Sequence, residues 1–165
     1  MKALLFGPSG SGKTYISRAL RCQGINAFDD GDIKGLSSWY DKHGQKIAGP
    51  QTAGEALDNQ YSFLWSKRFL AKFLQPFKEV YIFGGSGNIF DMLDLFDQVY
   101  FLKINPLVQK QRILKASDRN RQMDINEEGV MIWGEWLEQE ARKRHIPFID
   151  AELDPAQIYS VISQR

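Results

Sequence analysis

The run Gly7-Pro8-Ser9-Gly10-Ser11-Gly12-Lys13-Thr14, six residues into the chain, fits the P-loop pattern G-x-x-x-x-G-K-[ST] without a mismatch. Its flanks fit as well. Ala3-Leu4-Leu5-Phe6 is a short apolar run, which predicts a buried strand. Tyr15 to Cys22 sets Ile16, Ala19 and Leu20 on one helical face. A glycine-rich turn between strand and helix points successive backbone N–H groups into one concavity, toward which the positive end of the helix dipole also points. Lys13 adds a mobile ammonium for β- and γ-phosphates, and the Thr14 hydroxyl is a ligand for Mg²⁺. The whole stretch Gly7, Pro8, Ser9, Gly10, Ser11, Gly12, Lys13, Thr14 is therefore expected to hold ATP, with Mg²⁺ entering only with the nucleotide.

Downstream, short apolar strands alternate with helical stretches. Strands are predicted at Ile25–Phe28, Val80–Phe83, Gln98–Ile104 and Pro147–Ile149. Between them, 29–51 reads as a Gly-, Ser- and Asp-rich loop. Thr52-Ala53-Gly54-Glu55 reads as a capping box opening one long helix to Leu74, and Ile89–Leu95 as a short helical piece. Asn105-Pro106 starts a helix to about Lys115, a second spans about Asn126–Arg144, and Asp154-Pro155 caps the last. Five non-alternating apolar strands in β–α order predict a three-layer α/β P-loop NTPase fold: a five-stranded parallel sheet with helices on both faces and a short lid. One domain over 1–165 is expected, with an acceptor region at about 29–75 and the lid at about 116–126.

Ligands in such a sheet belong at the carboxyl ends of the strands. Phe28-Asp29-Asp30-Gly31-Asp32 falls there, and three carboxylates in four residues need a compensating cation. On an extended segment Asp30 and Asp32 point the same way and Asp29 points away. Gly84-Gly85-Ser86-Gly87 and the segment after Ile149 sit at two other strand ends. Arg112, Lys115, Arg119 and Arg121 form a cationic cluster. Arg119 and Arg121 fall in the polar break Ser117–Gln122, where a lid arginine would stabilise charge during phosphoryl transfer.

These pieces resemble the small P-loop kinases, the group of shikimate, gluconate, adenylylsulfate and nucleoside-monophosphate kinases. The stretch Gly35-Leu36-Ser37-Ser38-Trp39, with Asp41 and Gly44, resembles a branch of nucleotide-kinase-like ATPases whose ATP chemistry does not specify a substrate. The resemblance implies that Asp30, with Thr14, organises Mg²⁺, and that Asp32 binds and deprotonates the acceptor hydroxyl. It further implies that Gly84 and Gly85 lie against the acceptor, and that Arg119 is the lid arginine that touches the ATP phosphates; Arg112, inside the preceding helix, is expected to reach inward to the nucleotide. The expected activity is Mg²⁺-dependent transfer of the ATP γ-phosphoryl to a small acceptor of the nucleoside, nucleotide or polyol kind. Lys13, Asp32 and Arg119 are its expected catalytic residues.

Two alternatives stand beside it. A polynucleotide 5′-hydroxyl kinase would stack bases on Trp39, Tyr40, Tyr61 and Trp65 and hold phosphate with Lys67, Arg68 and Lys72. A nucleotide-binding switch without an acceptor would leave the Asp triplet without a task, and no Asn-Lys pair provides a guanine-reading motif. A net charge of +1 argues against a wholesale nucleic-acid or membrane binder. The single cysteine, Cys22, suits a reducing compartment, and no apolar run approaches the ~20 residues of a membrane span. The P-loop also occupies the place where a signal peptide would be cleaved. A cytoplasmic monomer or homodimer is expected.

Overall fold

The computed structural model describes residues 1–51, 53–119 and 127–164. Five strands form one parallel sheet: β1 (Lys2–Phe6), β2 (Ala27–Asp29), β6 (Val80–Gly84), β7 (Gln98–Lys103) and β8 (Phe148–Asp150), in the order β2-β6-β1-β7-β8. Alternation along the strands splits the core into two layers. Leu4 and Phe6 of β1 and Ile82 of β6 face one side. There they meet Leu70 and Leu74 of α3 (Lys67–Leu74) and Leu137 and Ala141 of α5 (Glu127–Lys143). Ala3 and Leu5, with Tyr81 and Phe83, face the other side, against Ile16 and Leu20 of α1 (Lys13–Cys22) and Ile158 and Ile162 of α6 (Pro155–Ile162). The strands are apolar on both faces because both faces are covered.

Chain connection turns from one side of β1 to the other between β6 and β7, so the carboxyl end of β1 is the crevice of the sheet. The Gly7–Thr14 loop lies there. Helix ends follow their expected chemistry. Asn105 Oδ1 accepts from Leu107 N (2.9 Å) where α4 (Pro106–Arg119) begins, and Asp154 and Gln157 close a capping box on α6.

Residues 29–74 depart from the expected loop and single helix. Asp30–Asp32 is a 3₁₀ turn, and β3 (Ser37–Tyr40), β4 (Lys46–Ile47) and β5 (Ser62–Trp65) make a separate antiparallel sheet in the order β4-β3-β5. Helix α2 (Ala53–Asp58) is short; Gln60, with φ of 56° in the left-handed region, turns the chain out of it. Ser66 then caps α3 by accepting from Phe69 N at 3.3 Å. The two helices therefore cannot merge across the strand. Thr52 of the expected capping box lies outside the described residues; Glu55 Oε2 accepts from Gln51 N (2.8 Å).

Candidate functional site

At the crevice, Gly10 and Gly12 adopt φ of 84° and 87°, conformations open to glycine, and Gly12 is the N-cap of α1. That geometry aims the first amides of α1 at the cleft. The Lys13 ammonium folds across its own loop, donating to the carbonyl oxygens of Gly7 (2.8 Å) and Pro8 (2.9 Å). Burial lowers its pKa to about 8, against the opposing pull of Asp30 and Asp29. From α4, Arg112 Nη1 donates to Gly10 O (3.1 Å), and the buried Gln109 donates through Nε2 to Ser9 O (3.0 Å). These two side chains pin the loop from the far side of the sheet's crevice.

The Asp triplet departs from the expected arrangement. In a 3₁₀ turn, residues two apart no longer share a face. Asp29 turns inward: its Oδ2 accepts from the Thr14 hydroxyl at 2.8 Å and its Oδ1 accepts from Gly31 N at 3.2 Å. Asp30 lines the same cleft and accepts through Oδ2 from Gly85 N (3.2 Å). Burial pushes its carboxyl above the usual range, although the Gly85 amide and Lys13 favour the charged form. Asp32 is not brought to the cleft. Arg21 of α1 hydrogen-bonds it and Arg18 lies 3.8 Å away, and this pairing holds its pKa below the usual range. Two arginines on α1 thus hold Asp32 in surface ion pairs.

Thr14, Asp29 and Asp30 offer oxygen donors only, a set that fits a hard divalent cation such as Mg²⁺. They border a cleft of about 1070 Å³ with Lys13, Arg18, Arg112 and Lys115. A smaller hollow of about 470 Å³ continues from Gly12, Tyr15 and Arg112 to Ala151–Pro155, at the strand end after Ile149. A third cavity, about 530 Å³, is lined by Gly85, the residue whose amide donates to Asp30. Its walls are Ser9, the Gly85–Gly87 turn, Trp39, Tyr61 and Phe63 of the small sheet and its approach, and Val130 and Trp133 of α5. Gly85, expected against the acceptor, and Ser9, expected at the nucleotide, both line this cavity, whereas Gln109 and Trp133 carry no local motif that marks them in the sequence.

Gly84 lies deeper. A Cβ there would fall 2.6 Å from both Asp30 Cγ and Trp65 Cζ2. Trp65 is buried, and its Nε1 has no hydrogen-bond partner among the described residues. Gly84→Ala is expected to lower stability by about 1–3 kcal/mol, the cost of overpacking a filled interior. A denaturant midpoint equal to that of the parent protein would contradict this close approach. Of the cationic cluster, Arg112 reaches the loop. Arg119 ends α4, but its side chain and the rest of the lid at 120–126, Arg121 included, lie outside the described residues.

No family model matches the chain, and no curated protein matches it. Solved structures do. A deoxyadenosine kinase from M. mycoides with bound dCTP is 18% identical, covering 99% of this chain and 97% of its own, with a TM-score of 0.52. The same enzyme with dCMP and a flexible dCDP is 17% identical, covering 99% and 96%, also at 0.52. Shikimate kinase from Aquifex aeolicus is 17% identical over 99% and 94%, with a TM-score of 0.48. The chain has the small P-loop kinase fold.

Proposed function

We propose that this small P-loop kinase fold serves an ATP-dependent phosphotransferase, which moves the γ-phosphoryl group to a hydroxyl of a small acceptor. One observation supports it above the others. Asp30 borders the phosphate cleft and is hydrogen-bonded to Gly85, which lines the third cavity. A carboxylate on the cationic cleft, tied through the Gly85 amide to an aromatic cavity, suits transfer between two bound molecules and gives a pure switch no advantage.

In this reading the Gly7–Thr14 amides and Lys13 hold the phosphates, Arg112 lies beside them, and the base extends toward Ala151–Pro155. Asp30, rather than Asp32, accepts the proton of the acceptor hydroxyl; its raised pKa makes it the stronger base. The acceptor oxygen bonds to the γ-phosphorus, and the bond from that phosphorus to the β,γ-bridging oxygen breaks, leaving ADP. Asp29, which accepts from the Thr14 hydroxyl, takes the metal role expected for Asp30: Thr14 and Asp29 would hold Mg²⁺, whose charge would offset that of the phosphates. Arg119 keeps the lid role that its sequence position suggests.

The test is ADP formation from Mg²⁺–ATP with nucleosides, nucleoside monophosphates, polyols, sugar acids, shikimate and 5′-hydroxyl oligonucleotides offered in turn. One small-molecule class is expected to raise the rate well above the acceptor-free value. Tight ATP binding with no stimulation by any class, and a large nucleotide-dependent shape change, would favour the switch instead. Stimulation by oligonucleotides alone would favour end-labelling of nucleic acid; Lys67, one of the cations suggested for that role, is paired with Asp94.

A further inference from the structure

We propose that the acceptor presents its hydroxyl from a flat, uncharged ring system, seated in the cavity between Trp39, Tyr61, Phe63 and Trp133. This rests on the phosphotransferase reading above and specifies the chemistry of its second substrate.

The cavity is walled by aromatic side chains from independent elements. Trp39 on β3 stands opposite Phe63 on β5, their ring centroids 5.3 Å apart and tilted by 54°. Trp133 comes from α5, and its Cη2 lies 3.4 Å from where a Cβ on Gly85 would sit, so its ring lies over the glycine turn. Trp39, Phe63 and Trp133 are all only partly buried, leaving ring surface open to an occupant. Aromatic surfaces arranged in this way favour a flat ring by stacking and edge contacts. The volume, about 530 Å³, is that of a small-molecule site.

Charge disfavours the anionic acceptors. Among the described lining residues there is no Lys, Arg, His, Asp or Glu. The cations lie in the neighbouring cleft, at Lys13, Arg18, Arg112 and Lys115. A carboxylate or phosphate placed among Trp39, Phe63 and Trp133 would lose its water without gaining a counter-charge. The polar side chains of the lining are the hydroxyls of Ser9, Tyr61, Ser62 and Ser86, the last already bonded to Asn88 Oδ1 at 3.0 Å, set among larger aromatic surfaces that a polyol would not use. The glycine turn lies at the end of the cavity nearest Asp30, through the Gly85 amide, so the reactive hydroxyl projects from the ring toward that turn.

Nucleosides are the probes, with their 5′-monophosphates, shikimate, gluconate and glycerol as comparisons. Binding to the full chain is measured by calorimetry and saturation-transfer NMR, with Mg²⁺ and a non-hydrolysable ATP analogue present. At least one nucleoside is expected to bind, with the strongest transfer at its ring protons. Its 5′-monophosphate is expected to bind more than about tenfold more weakly. Trp133→Ala and, independently, Phe63→Ala are expected to weaken nucleoside binding while affinity for the ATP analogue is retained, which also reports that each variant is folded. Tighter binding of shikimate, gluconate, glycerol or a monophosphate would overturn the proposal. So would the absence of any nucleoside binding, or nucleoside binding equal to the parent in both variants. A nucleoside that binds but never receives phosphate would overturn the phosphotransferase reading and uphold the ring site. Phosphoryl transfer to a non-aromatic acid or polyol would do the reverse.

Discussion

Lys13→Ala is expected to cut ATP turnover by about 10²–10³-fold, the loss typical of one preorganised charge facing a developing anion, while the folded state persists. The ammonium bonds to the carbonyls of Gly7 and Pro8 and packs in neither hydrophobic layer, so its removal opens no core cavity. Its environment amplifies its charge. Burial has already lowered its pKa to about 8, so the group is poorly solvated and phosphate oxygens would replace carbonyl partners rather than water. Turnover and thermal unfolding measured on the same preparation separate the two effects. Turnover within twofold of the parent would remove Lys13 from the chemistry, and a collapsed melting transition would make its role structural.

The P-loop and the parallel sheet were legible for a local reason. Every P-loop residue is contiguous, and strands such as Leu4–Phe6 or Val80–Phe83 are apolar without alternation because helices cover both faces. The small sheet was not legible. Its pairs, Trp39 with Phe63 and Ser38 with Leu64, join strands more than twenty residues apart, and each strand has only four residues. Worse, Phe63, Leu64, Phe69, Leu70 and Phe73 fall close to helical spacing across the break. The missed signal was Ser66, an N-cap residue in the middle of that run.

The aspartates failed differently. An alternating reading assumes extended backbone, but Asp29 accepts from Gly31 N and caps a 3₁₀ turn that begins at Asp30. Arg21 and Arg18, on the preceding helix α1, then pair with Asp32. Gln109 and Trp133 entered the site from α4 and α5, and no periodicity distinguishes a helical residue that meets a loop from one that meets a sheet.

That rearranged triplet leads to the sharpest pairwise expectation. Asp30→Asn should lower acceptor-dependent turnover by about 10²–10⁴-fold, because an amide cannot take the acceptor's proton. It should spare ATP binding, since the loop amides, Lys13 and Arg112 remain. Asp32→Asn should leave turnover near the parent value. Its cost is the surface ion pair with Arg21 and Arg18, about 0.2–1 kcal/mol of stability. Steady-state rates with the stimulating acceptor, alongside ATP titrations, measure both variants. The opposite pattern, with Asp32→Asn inactive and Asp30→Asn active, would mean that nucleotide binding breaks the Arg21 pair and swings Asp32 into the cleft. The role that the kinase resemblance implies for Asp32 would then describe the closed state, and the 3₁₀ turn an open one. Equal losses in both would make the turn itself the functional unit, since Asp30 begins it and Asp32 ends it.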